Sequence, residues 1–204
     1  MSYKIKNFID SELKKIKKPR ILEFGVENGN STKYFLNNIK SGKLISVDTT
    51  DCSNLFRNKQ WVFLNCRDDN FKMVNSYLRY KLNIIFIDTT HTADHVEKIF
   101  YLYFKKLKIN GFILIDDISW LPYCKDQYRN HSWVEKNNKE TFFRMLEIYN
   151  SNKDKLDISF NFLDSGLCKV TKIKDKKLNL KNKIYYRKFI VKNILDLFKN
   201  FFSF

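Results

Sequence analysis

The chain has 204 residues, enough for one domain with a substantial core and too few for two. Hydrophobic residues make up 44% and recur along most of the length, which excludes global disorder, while 5 Gly and 2 Pro leave little room for low-complexity linkers. The net charge of +16 resides mainly at the ends, with +5 in residues 1–20 and +7 in residues 174–204; this disfavours a nucleic-acid partner, as does the lack of an RNA-binding aromatic motif.

In chain order, short apolar runs alternate with amphipathic ones, the pattern of βαβ units on a parallel sheet. Residues 3–16 read as a basic helix, and Pro19 separates it from a strand at Arg20–Phe24. A helix begins at Ser31, whose hydroxyl is suited to cap the first turn. Strands are predicted at Lys43–Val47 and Trp61–Leu64, a helix at Phe71–Tyr80, and a strand buried on both faces at Asn83–Ile87. A helix at Ala93–Leu107 and a fifth strand at Gly111–Ile115 follow. Residues 117–138 read as irregular and aromatic-rich, and Glu140–Tyr149 as helical. Ile158–Leu163 and Leu167–Ile173 then flank Asp164-Ser165-Gly166, a hairpin signal. The expected fold is α/β and Rossmann-like: a mostly parallel central sheet, helices on both faces and a C-terminal antiparallel hairpin. Residues 1–19 are expected as an N-terminal basic helix, 20–175 as the main domain and 176–204 as a basic amphipathic helix.

Ligands in such sheets bind outside the C-terminal strand ends. The first turn has Gly25 and Gly29 in Gly-x-x-x-Gly spacing, whereas a pyrophosphate-binding turn uses Gly-x-Gly-x-x-Gly. That spacing and the terminal hairpin disfavour a nicotinamide-dependent oxidoreductase and suit S-adenosyl-L-methionine (AdoMet), whose ammonium group Glu23 could face. Asp48 ends the second strand, where a carboxylate can accept hydrogen bonds from a ribose diol.

The runs ILEFGVENGNS, LISVD, IIFIDTTH and GFILIDD resemble class I AdoMet-dependent methyltransferases. Within that class they are most similar to metal-dependent O-methyltransferases of the catechol and the macrolide or aminocoumarin sugar types, over residues 20–173. The resemblance implies cofactor contacts from Glu23, Gly25, Gly29, Ser31 and Asp48, with Asn65 to Asp68 along the adenine. The chain departs from the pattern at Asn65-Cys66-Arg67-Asp68, where relatives commonly have a Gly and an acid, and at Thr89, where Gly is frequent.

Asp88 ends the fourth strand, and Asp116 and Asp117 end the fifth. Three adjacent carboxylates would repel one another, so a Mg²⁺ or other divalent ion is expected among them, positioned to lower the pKa of a substrate hydroxyl. The metal-dependent sugar and catechol enzymes have matching acids. In a metal-free enzyme of the same fold, Asp117 would simply cap a turn. His91 is a candidate general base with Asp88 as competitor, and His95 is expected to be structural. In the aromatic-rich segment, Trp120, Tyr123, Lys125, Arg129 and His131 are candidates for gripping the acceptor, a sugar, glycan or other small molecule.

The four cysteines, Cys52, Cys66, Cys124 and Cys168, show no ligand-like spacing and fit a reducing compartment. Without a signal-like apolar segment or a spanning run, a cytoplasmic location is expected. Ile184–Phe202 is strongly amphipathic; it suits either an anionic membrane surface at the inner face or an ordinary helix packing on its own domain or on a partner subunit.

Overall fold

A computed structural model describes residues 2–120 and 131–184, with Ile194, Leu195 and Phe198 near the C-terminus. Twelve elements are ordered α1 (Ser2–Lys15), β1 (Arg20–Phe24), α2 (Asn30–Asn38), β2 (Lys43–Asp48), β3 (Trp61–Asn65), α3 (Phe71–Tyr77), β4 (Leu82–Ile87), α4 (Ala93–Phe104), β5 (Leu107–Asp116), α5 (Ser132–Asn150), β6 (Leu156–Asn161) and β7 (Leu167–Lys172). The seven strands form one sheet in the order β3-β2-β1-β4-β5-β7-β6. Strands β1 to β5 run parallel, and β7 inserts antiparallel between β5 and β6. The expected sheet, including its terminal hairpin, is present.

Successive strand residues face opposite sides of a sheet, and the two faces have separate cores. Leu22 and Phe24 of β1 join Ile85 and Ile87 of β4 under α3, α4 and α5, whereas Ile21, Ile84 and Phe86 face α1 and α2. Helix α1 is part of this core through Ile5, Ile9 and Leu13, all essentially inaccessible to water. Arg144 of α5 pairs with Asp94 and Glu97 of α4, tying two helices of one layer.

Helices α3 and α4 end three residues earlier than expected, at Tyr77 and Phe104, and β6 lies two residues earlier; three further differences have a visible cause. Helix α5 starts at Ser132 instead of 140 because half of its buried stripe is polar, with Asn138 and Thr141 preceding Met145 and Ile148. Strand β5 starts at Leu107, which pairs with Leu82 across an irregularity in the ladder. Helix α2 is preceded by Gly29 in the left-handed region, and no side chain caps it; the Ser31 hydroxyl is engaged elsewhere.

Candidate active site

Parallel strands β1 to β5 bring five loops to one edge of the sheet, where a cavity of about 520 Å³ opens. Its wall includes Gly25 and Glu27 after β1, Asp48 and Thr49 after β2, and Cys66, Arg67 and Asp68 after β3. Asp88 to His91 after β4, His95 of α4 and Asp117 after β5 complete it. Five carboxylates therefore face one cavity in a basic protein, a setting for a cationic ligand.

The first turn is built on Glu23, which is fully buried. Its carboxylate accepts hydrogen bonds from the hydroxyls of Ser31 (2.6 Å), Thr32 (2.7 Å) and Ser46 (2.6 Å). Ser46 in turn accepts from the Trp61 indole N–H at 2.9 Å. Burial raises the Glu23 pKa, and the three hydroxyls offset this only in part. Glu23 and Ser31 thus lie beneath the turn and hold its shape; neither side chain is on the cavity wall. The glycines also answer to the fold itself. A Cβ on Gly25 would lie 1.7 Å from the Asp88 carbonyl oxygen, and one on Gly29 would lie 2.6 Å from the Phe56 ring. Of the two, only Gly25 reaches the wall.

Asp48 accepts the backbone N–H groups of Val26 (2.8 Å) and Glu27 (3.2 Å) on Oδ2, and that of Thr50 (2.8 Å) on Oδ1. Burial opposes its charge, but these donors outweigh burial and hold its pKa below the ordinary carboxylate value. Each carboxylate oxygen has two lone pairs, so Oδ1 retains capacity for a ligand hydroxyl. Asn65 does not face the cavity; its side-chain amide donates to the carbonyls of Asp48 and Thr49 and pins the end of β2.

Asp68 does reach the wall, but Oδ2 is already bound by Thr89 Oγ1 (2.8 Å) and His95 Nε2 (2.6 Å). The Tyr103 hydroxyl donates to the Asp68 carbonyl, fixing the loop from below. His95 is therefore a wall residue as well as a structural one. Its place in the first turn of α4, directly after the loop that carries Asp88 and His91, was the available signal. Glu27 was also missed, since its exposure to the cavity depends on its left-handed backbone (φ 48°).

At the far side, His91 stands between two acids: Nε2 is 3.6 Å from Asp88 Oδ1 and Nδ1 is 3.7 Å from Asp117 Oδ2. Asp117 leaves the strand with φ 57°, which turns it towards the cavity. Asp116 does not join them. It is buried, and its Oδ1 accepts from the Asp117 N–H (2.7 Å) and from Ser165 of the β6–β7 turn (3.3 Å). The expected convergence of three carboxylates is thus corrected to two carboxylates flanking a histidine. Among the described residues no three His, Cys, Asp or Glu side chains are grouped to hold a metal ion. Mg²⁺ commonly uses only one or two carboxylates and keeps its waters, so Asp88 and Asp117 are a chemically suitable donor pair.

Trp120 packs against Phe142 and Phe143 of α5, with ring centroids 6.0 and 5.8 Å apart. His131 is the exposed residue preceding α5. Neither is on the cavity wall. Tyr123, Lys125 and Arg129 lie outside the described residues, as does Cys124, and so does nearly all of the amphipathic segment from 185 onwards. No helix among the described residues is long and apolar enough to cross a membrane.

Comparison with known proteins bears on the fold. A methyltransferase-domain family model matches residues 22–118, the segment from β1 to the loop after β5. No curated protein matches. Among solved structures, a Podospora anserina methyltransferase, PaMTH1, bound to S-adenosylhomocysteine superposes with TM-score 0.66 at 14% identity, over 82% of this chain and 77% of that one. An O-methyltransferase from Bacillus cereus in complex with S-adenosylhomocysteine gives TM-score 0.59 at 15% identity, over 84% and 82% of the two chains. The mycinamycin-pathway methyltransferase MycE, in complex with Mg, S-adenosylhomocysteine and mycinamycin VI, gives 0.63 at 13% identity, over 88% of this chain but only 51% of MycE. The fold is that of class I methyltransferases, and the resemblance of the sequence to AdoMet-dependent members of that class holds.

Proposed function

We propose that this protein is an AdoMet-dependent O-methyltransferase acting on a hydroxyl of a sugar, glycan or other small polyol. The observation that carries the proposal is the acidic cavity at the C-terminal strand ends, with Asp48 on one side and the Asp88–His91–Asp117 group on the other. AdoMet would supply a methyl group on a positively charged sulfur. Asp48 would accept the ribose hydroxyls, while the backbone at Gly25 and the side chain of Asp68 would border the remainder.

His91 is the proposed base. As the acceptor oxygen forms its bond to the methyl carbon and the carbon–sulfur bond breaks, the hydroxyl proton passes to His91. The resulting imidazolium lies between Asp88 and Asp117, which offset its charge. A Mg²⁺ ion held by Asp88 and Asp117 would lower the pKa of the acceptor hydroxyl when bound. The burial of Asp116 off the cavity wall favours a second reading, a metal-independent methyltransferase on the same site.

The test is transfer of labelled methyl from AdoMet to a panel of sugars and polyols, with and without a chelator. His91→Ala is expected to lower kcat about 10²- to 10⁴-fold while leaving S-adenosylhomocysteine affinity unchanged. Full activity of that variant would remove His91 as the base. Loss of turnover in chelator, restored by Mg²⁺, supports the metal; indifference to chelator supports the second reading.

A further inference from the structure

The sheet edge opposite the acidic cavity has the reverse charge. Because β1 to β4 are parallel, the connections entering them all meet at this edge, and they bring Lys18, Arg20, Lys40, Lys43, Lys59 and Arg79 together. These six cations line two cavities of about 590 and 530 Å³ that share Arg20 and Lys43. No acidic side chain lines either cavity. Among the described residues none of the six has a carboxylate partner, although Lys81, on the same edge, pairs with Asp175 at 3.5 Å.

Unneutralised charge is accompanied by exposed apolar surface. Tyr77 and Tyr80 are 48% and 63% exposed, and Ile109, near the start of β5, is 53% exposed. The larger cavity has an aliphatic floor of Ile21, Ile45, Val62, Leu78 and Leu82. The Arg20 guanidinium lies 3.8 Å above the Tyr80 ring. It covers one face on which a nucleobase would stack. Cations on four separate connections form a patch about 14 Å wide across the parallel strands β3, β2, β1 and β4. Cations interspersed with tyrosine and aliphatic side chains suit the headgroup layer of an anionic bilayer.

We propose that this edge of the sheet docks on an anionic lipid surface, with the acidic cavity opening away from it. The inference does not depend on methyl transfer, because none of the six cations borders the acidic cavity. The amphipathic C-terminal segment is retained in the test. The full chain is sedimented with phosphatidylcholine vesicles, with and without phosphatidylglycerol, as wild type and as the combined variant Lys40→Gln, Lys43→Gln, Lys59→Gln. Wild type is expected to sediment only with phosphatidylglycerol, and less so at high salt. The variant should melt like wild type and partition at least about tenfold more weakly. A second variant, Lys18→Gln with Arg79→Gln, should show the same loss. Undiminished binding of both variants, no binding of wild type, or binding of wild type to a single-stranded oligonucleotide but not to vesicles would each overturn the proposal.

Discussion

A side chain at position 25 would place its Cβ 1.7 Å from the Asp88 carbonyl oxygen, and φ +89° would strain any L residue there. The glycine is required by the approach of β4 to the first turn before any ligand is considered. Gly25→Ala should therefore cost about 3 kcal/mol or more and lower the melting temperature by at least about 6 °C; an unchanged melt would show that the turn can open. Glu23 makes a second residue-level prediction. Its native pKa is raised, so above the unfolded value of about 4.3 the folded chain retains a proton that the unfolded chain has released. Stability from this group is full below that pH and is lost as pH rises through the native pKa. Urea unfolding of wild type and Glu23→Gln across this range should show the wild-type advantage shrinking as pH rises. A constant difference would mean that Glu23 is ionised in the fold.

At the scale of elements, the β6–β7 hairpin and α5 together fix the loop that follows β5. Ser165 reaches Asp116, the Ser119 N–H donates to the Ser165 carbonyl at 2.9 Å, and buried Asn138 donates to the Ser119 carbonyl at 2.9 Å. Asn138→Ala should destabilise the protein by about 1–3 kcal/mol, since it removes the amide donor to a buried carbonyl; denaturant titration checks this, and a neutral effect would mean that water replaces the amide. These contacts also explain which parts of the site could be read from the sequence. Strand-end acids at Asp48 and Asp88 follow from apolar runs that stop at a carboxylate. The division of labour between Asp116 and Asp117 does not, because it depends on a left-handed residue and on a hairpin nearly fifty residues downstream. Likewise, Asn138 and Thr141 sit where apolar residues would have announced the first half of α5.

Over the whole molecule, net charge proved a poor guide until the topology was known. The +16 total conceals an acidic edge, where Glu27, Asp48, Asp68, Asp88 and Asp117 meet, and a basic edge about one strand length away. The alternation of strands and helices was legible in the runs themselves, and with it the position of the acidic edge. The basic edge was not, because its lysines are dispersed along the sequence and only the parallel sheet gathers them. Whether the acidic edge holds the proposed cofactor is read by calorimetric titration with S-adenosylhomocysteine. Wild type should bind one equivalent, and Asp48→Ala should bind at least about tenfold more weakly, the loss of one charge-assisted hydrogen-bonding group. Absence of binding by wild type, with or without Mg²⁺, would mean that the acidic edge is not an AdoMet site.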